Sequence, residues 1–378
     1  MIEKAQEMEI FLLLFAAAFI LALSLTSLLI YFAPRLGFVD LPGERKIHQQ
    51  PIPYGGGVAV FLTIYSLLLL AWVFINQFEI PQLPKIVQIH LKGLQSSKVN
   101  TQLIGILLGG LVIFITGIID DFKGLGPKVK LLAGCVSSGI VIFSGTYITG
   151  LSTLLSDTVV HQVIPPSFLN WIVTTLWIVG ITNAFNLLDN MDGLSSGVAI
   201  IVAGVLMLIC FQSGEIFICA FIVLFLGAVS GFWVYNYHPA KIFLGDSGSL
   251  LIGYFLSVIT ILPTFYRSFE INANVLSIFM PIIILSVPIF DTLSVIWIRL
   301  KLGKSIFIGD TNHFSHRLVK LGLSRQQAVL FIYLVCISTG ISSLLLFKLN
   351  TFGASLVFLQ VILVFLIIII LENASRNK

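Results

Sequence analysis

The sequence predicts an all-α integral membrane protein, a polytopic bundle of eleven transmembrane helices with a site on its cytoplasmic face. Three observations carry that expectation. The chain is 57% hydrophobic and only 10% charged, with a mean hydropathy of +1.05, whereas soluble domains run at about a quarter charged. Eleven apolar runs approach the ~20 residues needed to cross a bilayer. They begin near Ile10, Gly56, Thr101, Val129, Phe168, Leu194, Glu215, Ser247, Val275, Gln326 and Phe352. The remaining charge gathers in five polar islands between runs: Gly43–Gly57, Asp120–Lys130, Asn183–Gly193, Asn236–Ser249 and Arg299–Arg325.

Taken in order, the first run has no A-x-A cleavage site after its apolar stretch and reads as a retained helix, not a signal peptide. The runs at Val129 and Phe168 are diluted by Gly, Ser and Thr and are the weakest of the set. If consecutive runs alternate in direction, all five islands emerge on one face. With the N-terminus outside, 15 of the 21 Lys and Arg fall on that face, which the positive-inside rule makes cytoplasmic. Moving one span would flip every later loop, so the charge asymmetry also supports the span count. A plasma-membrane protein with one domain, residues 1–378, accounts for the chain. The net charge of +4 suits a positive cytoplasmic face and gives no sign of nucleic-acid binding. Cys135, Cys210, Cys219 and Cys336 lie in apolar runs without ligand spacing, so neither a disulfide nor a zinc site is expected. The outer loops at 77–100 and 150–167 are Pro-punctuated, poor in paired acid and base, and read as caps.

The islands carry the chemistry. Asp120 and Asp121 end an apolar run and are followed by Lys123, Lys128 and Lys130. Adjacent carboxylates repel, and a cation relieves them; a pair next to lysines suits phosphates and a hard metal. Alone, the pair could simply mark an exit to water. Asn183, Asn186, Asp189 and Asp192 recur every third residue before Gly193 breaks the stretch. That density of polar groups is hard to explain as packing, the alternative being a hydrogen-bonded seam between helices. Lys241–Ser249 places Asp246 in a Gly/Ser turn before the next run. Such a turn lets backbone approach a ligand, and a helix N-terminus favours anions. Asp246 is the preferred magnesium ligand of the chain, since Mg²⁺ takes one or two carboxylates plus phosphate and water. Phe243 could stack on a base or pack as core. Arg45, Lys46 and His48 precede a Pro-rich stretch and Gly55–Gly57, which also fits a positive-inside anchor. Asp310, His313, His316 and Arg317 occupy the longest cytoplasmic loop, where a histidine pair is more often solvated surface. Asp291 lies inside an apolar run eight residues before Arg299, and intramembrane acids are functional candidates by default.

Five motifs in this order resemble the polyprenyl-phosphate N-acetylhexosamine-1-phosphate transferases, glycosyltransferase family 4. They are RKIHQQPIPYGGG, DD followed by KVK, NxxNLLDNMDGL, AKIFLGDSGS, and DTNHFSHRL after PIFD. The resemblance runs from about Gly37 to Leu334. It implies transfer of a sugar-1-phosphate from a UDP-N-acetylhexosamine to a polyprenyl phosphate such as undecaprenyl phosphate. UMP leaves, with Mg²⁺ as cofactor and Mn²⁺ as a substitute. The product would initiate a cell-wall or surface polysaccharide. By motif, Asp246 would hold the metal with Asp121 as a second ligand, and Asp120 or Asp121 would prepare the lipid phosphate as a base or through the metal. Asp189 and Asp192, with Asn183 and Asn186, would shape the nucleotide and metal pocket. Phe243 would stack on uracil; His313, His316 and Arg317 would hold the sugar or diphosphate. Lys46, His48, Lys128 and Lys130 would face phosphate, and Asp291 would join the substrate site. Direct attack and a covalent carboxylate–phosphate intermediate are both compatible with these residues.

The last loop speaks to the branch. The branch that transfers phospho-N-acetylmuramoyl-pentapeptide usually has three consecutive histidines there, so this chain looks closer to the N-acetylglucosamine-1-phosphate branch. It departs even from that pattern, His-x-His-His, because Ser315 stands at the middle histidine. Family members often form homodimers, though no dimer face stands out in these helices. The rival readings are the pentapeptide-carrying substrate, a secondary transporter of an anionic solute and a non-catalytic scaffold. Transport needs charge reachable from both faces, and apart from Asp291 the charges crowd one. A scaffold would not need the full set of acids.

Overall fold

The structure is a computed structural model that describes residues 2–40, 51–77, 96–149, 165–262, 275–307, 311–346 and 348–376. Among these the protein is all-α apart from one antiparallel pair, β1 (Val39–Asp40) with β2 (Ile52–Pro53), in which Val39 faces Pro53. Thirteen α-helices follow the apolar runs. They are α1 (Ile2–Phe32), α2 (Gly56–Gln77), α3 (Ser97–Lys123), α4 (Pro127–Phe143), α5 (Pro166–Leu188), α6 (Leu194–Gln212), α7 (Ile216–Asn236), α8 (Gly245–Ile259), α9 (Met280–Ile284), α10 (Ser286–Lys301), α11 (Phe314–Lys320), α12 (Arg325–Leu344) and α13 (Thr351–Arg376).

Local chemistry sets the ends. Ser96 accepts from the Val99 N–H to start α3, and Gly124 ends it in a left-handed conformation. Pro127 and Pro166 sit in the first turns of α4 and α5, where a missing N–H costs nothing. Ser324 and Gln327 form a reciprocal capping box on α12.

Each of the eleven runs begins in, or one residue before, a helical segment. Eight described helices are long and apolar enough to cross a membrane. A further apolar pair, Leu276–Ile284 and Ser286–Lys301, is bent by 74°, the geometry of a broken span or a re-entrant loop, near Pro288, which lacks the N–H that would close the turn. The expected spans at Val129 and Ser247 are the short ones. The first is α4, with 17 residues. The second, α8, has 15, about 22 Å at 1.5 Å per residue, against a hydrocarbon thickness of about 30 Å.

That short helix is the centre of the molecule. Every residue of α8 except Asp246 is buried, packed by α2, α3, α5 and α6. Around this core, α7 lies between α6 and α1, with Ala18 and Ala22 of α1 against Gly227 and Gly231, the small-residue packing membrane helices use. Helix α10 packs on α5 and carries α11 beside it. The arrangement leaves the N-terminus of α8 as the one end of the buried core helix that bears a carboxylate.

Candidate active site

The site is built on the first turn of α8. Gly245 takes a positive φ of 75°, which lets the chain turn sharply into the helix. Close approach of two neighbours then requires glycine. A Cβ on Gly57 would stand 2.2 Å from Gly248 N, and one on Gly117 2.4 Å from Ser247 Cα. Extended backbone from β2 to α2 docks alongside, with Gly56 N and Gly57 N donating to Phe243 O and Leu244 O at 3.0 and 2.9 Å. A helix N-terminus leaves backbone N–H groups without intrahelical partners. Here Asp121, from the end of α3, accepts from Asp246 N at 2.6 Å and Ser247 N at 3.1 Å.

With its backbone held in this way, the Asp246 side chain meets three elements. Its Oδ1 accepts from Lys130 Nζ of α4 at 3.3 Å and from Asn186 Nδ2 of α5. Lys130 also donates to Asp120 Oδ2 at 2.7 Å, and Asp120 Oδ1 accepts from Leu125 N. Asn186 donates a second bond to Ser249 Oγ at 3.0 Å. Asp120, Asp121, Lys130, Asn186 and Asp246 thus form one hydrogen-bonded cluster drawn from α3, α4, α5 and α8.

Asp246 and Asn186 open onto a cavity of about 480 Å³. Asp189 lines it just past the end of α5, where burial, then the charges of Asp246, Asp121 and Asp192, push its carboxyl well above the usual range. Asp192 lines the same wall; its Oδ2 lies 2.8 Å from His238 Nδ1 and accepts from Ala240 N at 3.2 Å. Across the cavity, the rings of Phe243 and Tyr54 lie 6.2 Å apart at 54°. Burial, then the neighbouring Asp40, pushes the Tyr54 phenol up, so it remains an O–H donor at any working pH. His316 and Arg325 close the remaining side. Burial, then His313, lowers His316 below its ordinary value of 6.5, and the imidazole is neutral near pH 7.

Other expected site residues are engaged elsewhere. Asn183 donates to Val179 O in its own helix, and Lys128 is exposed beside the cluster. Asp291 is fully buried; its Oδ2 lies 2.9 Å from His313 Nδ1 and its Oδ1 accepts from Phe314 N at 2.6 Å. Arg317 is buried, donating to both oxygens of Glu372 at 3.0 Å and to Ser294 Oγ at 3.0 Å. None of these lines the cavity. Lys46, His48 and Asp310 lie outside the described residues. Conversely, Tyr54, Asn190, His238 and Arg325 line the cavity without having been singled out in sequence. Their signal was membership of a polar island or its edge, which does not separate them from their neighbours.

Residues 103–264 match the model of the family described as Glycosyl transferase family 4. A Bacillus subtilis protein named "Probable undecaprenyl-phosphate N-acetylglucosaminyl 1-phosphate transferase" is 33% identical over 356 residues, 94% of this chain and 90% of that protein. The chain belongs to glycosyl transferase family 4. The family match spans all five residues of the hydrogen-bonded cluster, together with Asp189 and Asp192. A Mycobacterium tuberculosis decaprenyl-phosphate N-acetylglucosaminephosphotransferase is 32% identical over 326 residues, 80% of this chain and 74% of its own. A Staphylococcus aureus phospho-N-acetylmuramoyl-pentapeptide-transferase is 31% identical over 250 residues, 62% of this chain and 74% of its own.

The donor chemistry of the site fits a hard divalent ion. Asp246, Asp189, Asp121 and Asp192 stand close enough to raise Asp189, a crowding that a cation relieves. Among the described residues, no three His, Cys, Asp or Glu side chains gather as a ready metal cage. Mg²⁺ does not need one, since it is held by one or two carboxylates with substrate phosphates and water.

Proposed function

We propose that this family member transfers a HexNAc-1-phosphate, in particular GlcNAc-1-phosphate, from a UDP-sugar to a polyprenyl phosphate, starting a cell-wall or surface polysaccharide. An oxygen of the lipid phosphate bonds to the sugar-bearing phosphorus of the donor. The bond from that phosphorus to the bridging oxygen breaks, and UMP leaves with the electron pair. The observation that carries this reading is the turn at Asp246, where a lysine, an amide and carboxylates from four helices are hydrogen-bonded together and where Asp246 and Asn186 of that cluster border a cavity faced by aromatic rings.

The chain's residues divide the work. Lys130 supplies positive charge beside Asp120 and Asp246. Asn186 orients Asp246, and Asp121 holds the turn that carries it. Asp246, with Asp189, would hold Mg²⁺ or Mn²⁺, which supplies Lewis-acid neutralisation of phosphate charge. Phe243 and Tyr54 offer ring faces to the uracil, and neutral His316 offers a polar contact to the sugar. Much of this catalysis is positioning and charge stabilisation. The active site faces the cytoplasm at the plasma membrane, where a soluble nucleotide and a lipid meet, and the positive-inside charge distribution supports that orientation.

Label transfer in detergent tests the reading. Purified protein is given labelled UDP-GlcNAc, polyprenyl phosphate and Mg²⁺. Butanol-extractable label with matching UMP release, lost with EDTA and in Asp246→Asn, is the expected result. Intact protein that transfers label from no UDP-sugar would end the proposal.

A further inference from the structure

Ser315 stands where the resembling branch carries a histidine, and the proposed reaction leaves it without a role. It is buried and does not itself line the cavity. Its hydroxyl lies 2.5 Å from Asn190 Oδ1. Asn190 lines the cavity beside Asp189, Asp192 and His316. The bond therefore ties α11 to the loop between α5 and α6, across 125 positions of sequence.

The direction of that bond follows from its neighbour. Asn190 Nδ2 donates to Leu187 O at 2.8 Å, and a carbonyl can only accept. The amide oxygen therefore faces Ser315, whose hydroxyl must donate. Two bonds to two different elements hold the carboxamide in one orientation. A carboxamide has two N–H donors, and among the described residues the second has no partner.

We propose that Asn190 is a specificity-determining contact for the donor sugar, its remaining N–H donating to the acetamido oxygen or a hydroxyl of the hexosamine, with Ser315 as the residue that positions it. The inference rests on the transfer reaction proposed above. Placement favours the sugar over the other parts of the donor. The proposed reaction puts phosphate at the Asp246 end of the cavity, where Lys130 pairs with Asp246, and the base at the rings of Tyr54 and Phe243. Beside the charged Asp192 and Arg325, Asn190 and His316 add uncharged donors to the cavity lining, and an uncharged donor suits a neutral acceptor. A site built to hydrogen-bond a substrate group discriminates strongly against analogues lacking it, because its polar groups are then left unpaired.

The test compares donors in the full-length protein. Transfer is measured with UDP-GlcNAc, UDP-GalNAc and UDP-glucose, with inhibition constants standing in for donors not turned over. Asn190→Ala should lower kcat/KM for the preferred donor roughly tenfold, mainly through KM. A less preferred donor should change less, so the selectivity ratio falls. Ser315→Ala should move the ratio the same way, and adding it to Asn190→Ala should change nothing further. Ser315→Thr, which keeps the hydroxyl, should retain the wild-type ratio. UMP affinity should be unchanged throughout, which reports an intact fold and nucleotide site. Equal loss for every donor, or additive effects of the two alanine variants, would overturn the proposal. Wild-type protein inactive with all UDP-sugars defeats the transfer reading instead, whereas active protein with an unmoved ratio defeats this inference alone.

Discussion

Among the described residues, two helices have their first turn held by a carboxylate from another helix, and the two are put to different use. At α8, Asp121 accepts from the backbone of Asp246 and Ser247. At α11, Asp291 accepts from the backbone of Phe314 and pairs with His313. The device is the same, a carboxylate on otherwise unpaired N–H groups. Around Asp121 the neighbouring polar groups open onto a cavity; around Asp291 they are turned inward. Asp291 has no exposed surface, and Arg317 is clamped to Glu372 of α13. Of the charged and histidine residues on α11, His316 reaches the cavity. A dense set of acids and bases therefore does not identify chemistry until it is known which side chains already have partners.

The contrast is sharpest at Asp246. Asp246→Asn should lower transfer on the order of 10³-fold, the scale of losing a main electrostatic contact to the reacting group, with little change in Tm. Arg317→Met should do the reverse. It leaves Glu372 buried and unpaired, a loss of roughly 3–5 kcal/mol, read as a lower Tm in detergent. The double variant with Glu372→Gln should recover part of it. If Arg317→Met abolished transfer at an unchanged Tm, the inward-turned region would have a chemical role and the contrast would break.

The two caps can be compared directly. Asp121→Asn keeps one acceptor and turns a donor toward a backbone N–H, leaving a buried bond unmade at roughly 1–3 kcal/mol. Transfer should fall with stability, because the turn carrying Asp246 loosens. Asp291→Asn should reduce Tm similarly, while kcat/KM in the folded fraction falls by no more than the roughly tenfold expected when Asn190 loses its place. Equal losses of activity in both would show that α11 positions the reacting groups as directly as α8.

The smallest effect concerns pH. His316 is held below its ordinary value of 6.5, so between the two values the unfolded chain binds more protons at this position than the folded one. Stability from this group is complete above about 6.5 and falls as pH drops through that window. His316→Gln should flatten the acid limb of a Tm–pH curve, and an unchanged limb would place the imidazole in a more solvated setting.

Much of the site was legible in sequence because its residues are costly where they stand. Asp120, Asp121, Asn186, Asp189, Asp192 and Asp246 are polar groups at the edges of apolar runs, and each has a place in or beside the cluster. Asp291, His313 and Arg317 carried the same signal for another reason, since Asp291 pairs with His313 and Arg317 with Glu372. Asn183 bonds its own helix backbone. His238 gave little sign, as a lone histidine before a proline, yet it meets Asp192 across 46 positions. Ser315 was visible as a departure from the family pattern, but its partner Asn190 was not.

By itself, the sequence determined the all-helical membrane class, where the runs begin, and the family, because hydropathy, charge placement and ordered motifs are written along the chain. The tertiary structure decided that α8 is a short buried centre, that α9 and α10 meet at a bend, and which polar residues face a cavity rather than each other. Those outcomes depend on packing between helices distant in sequence, and the direction of a side chain is set by its neighbours in space.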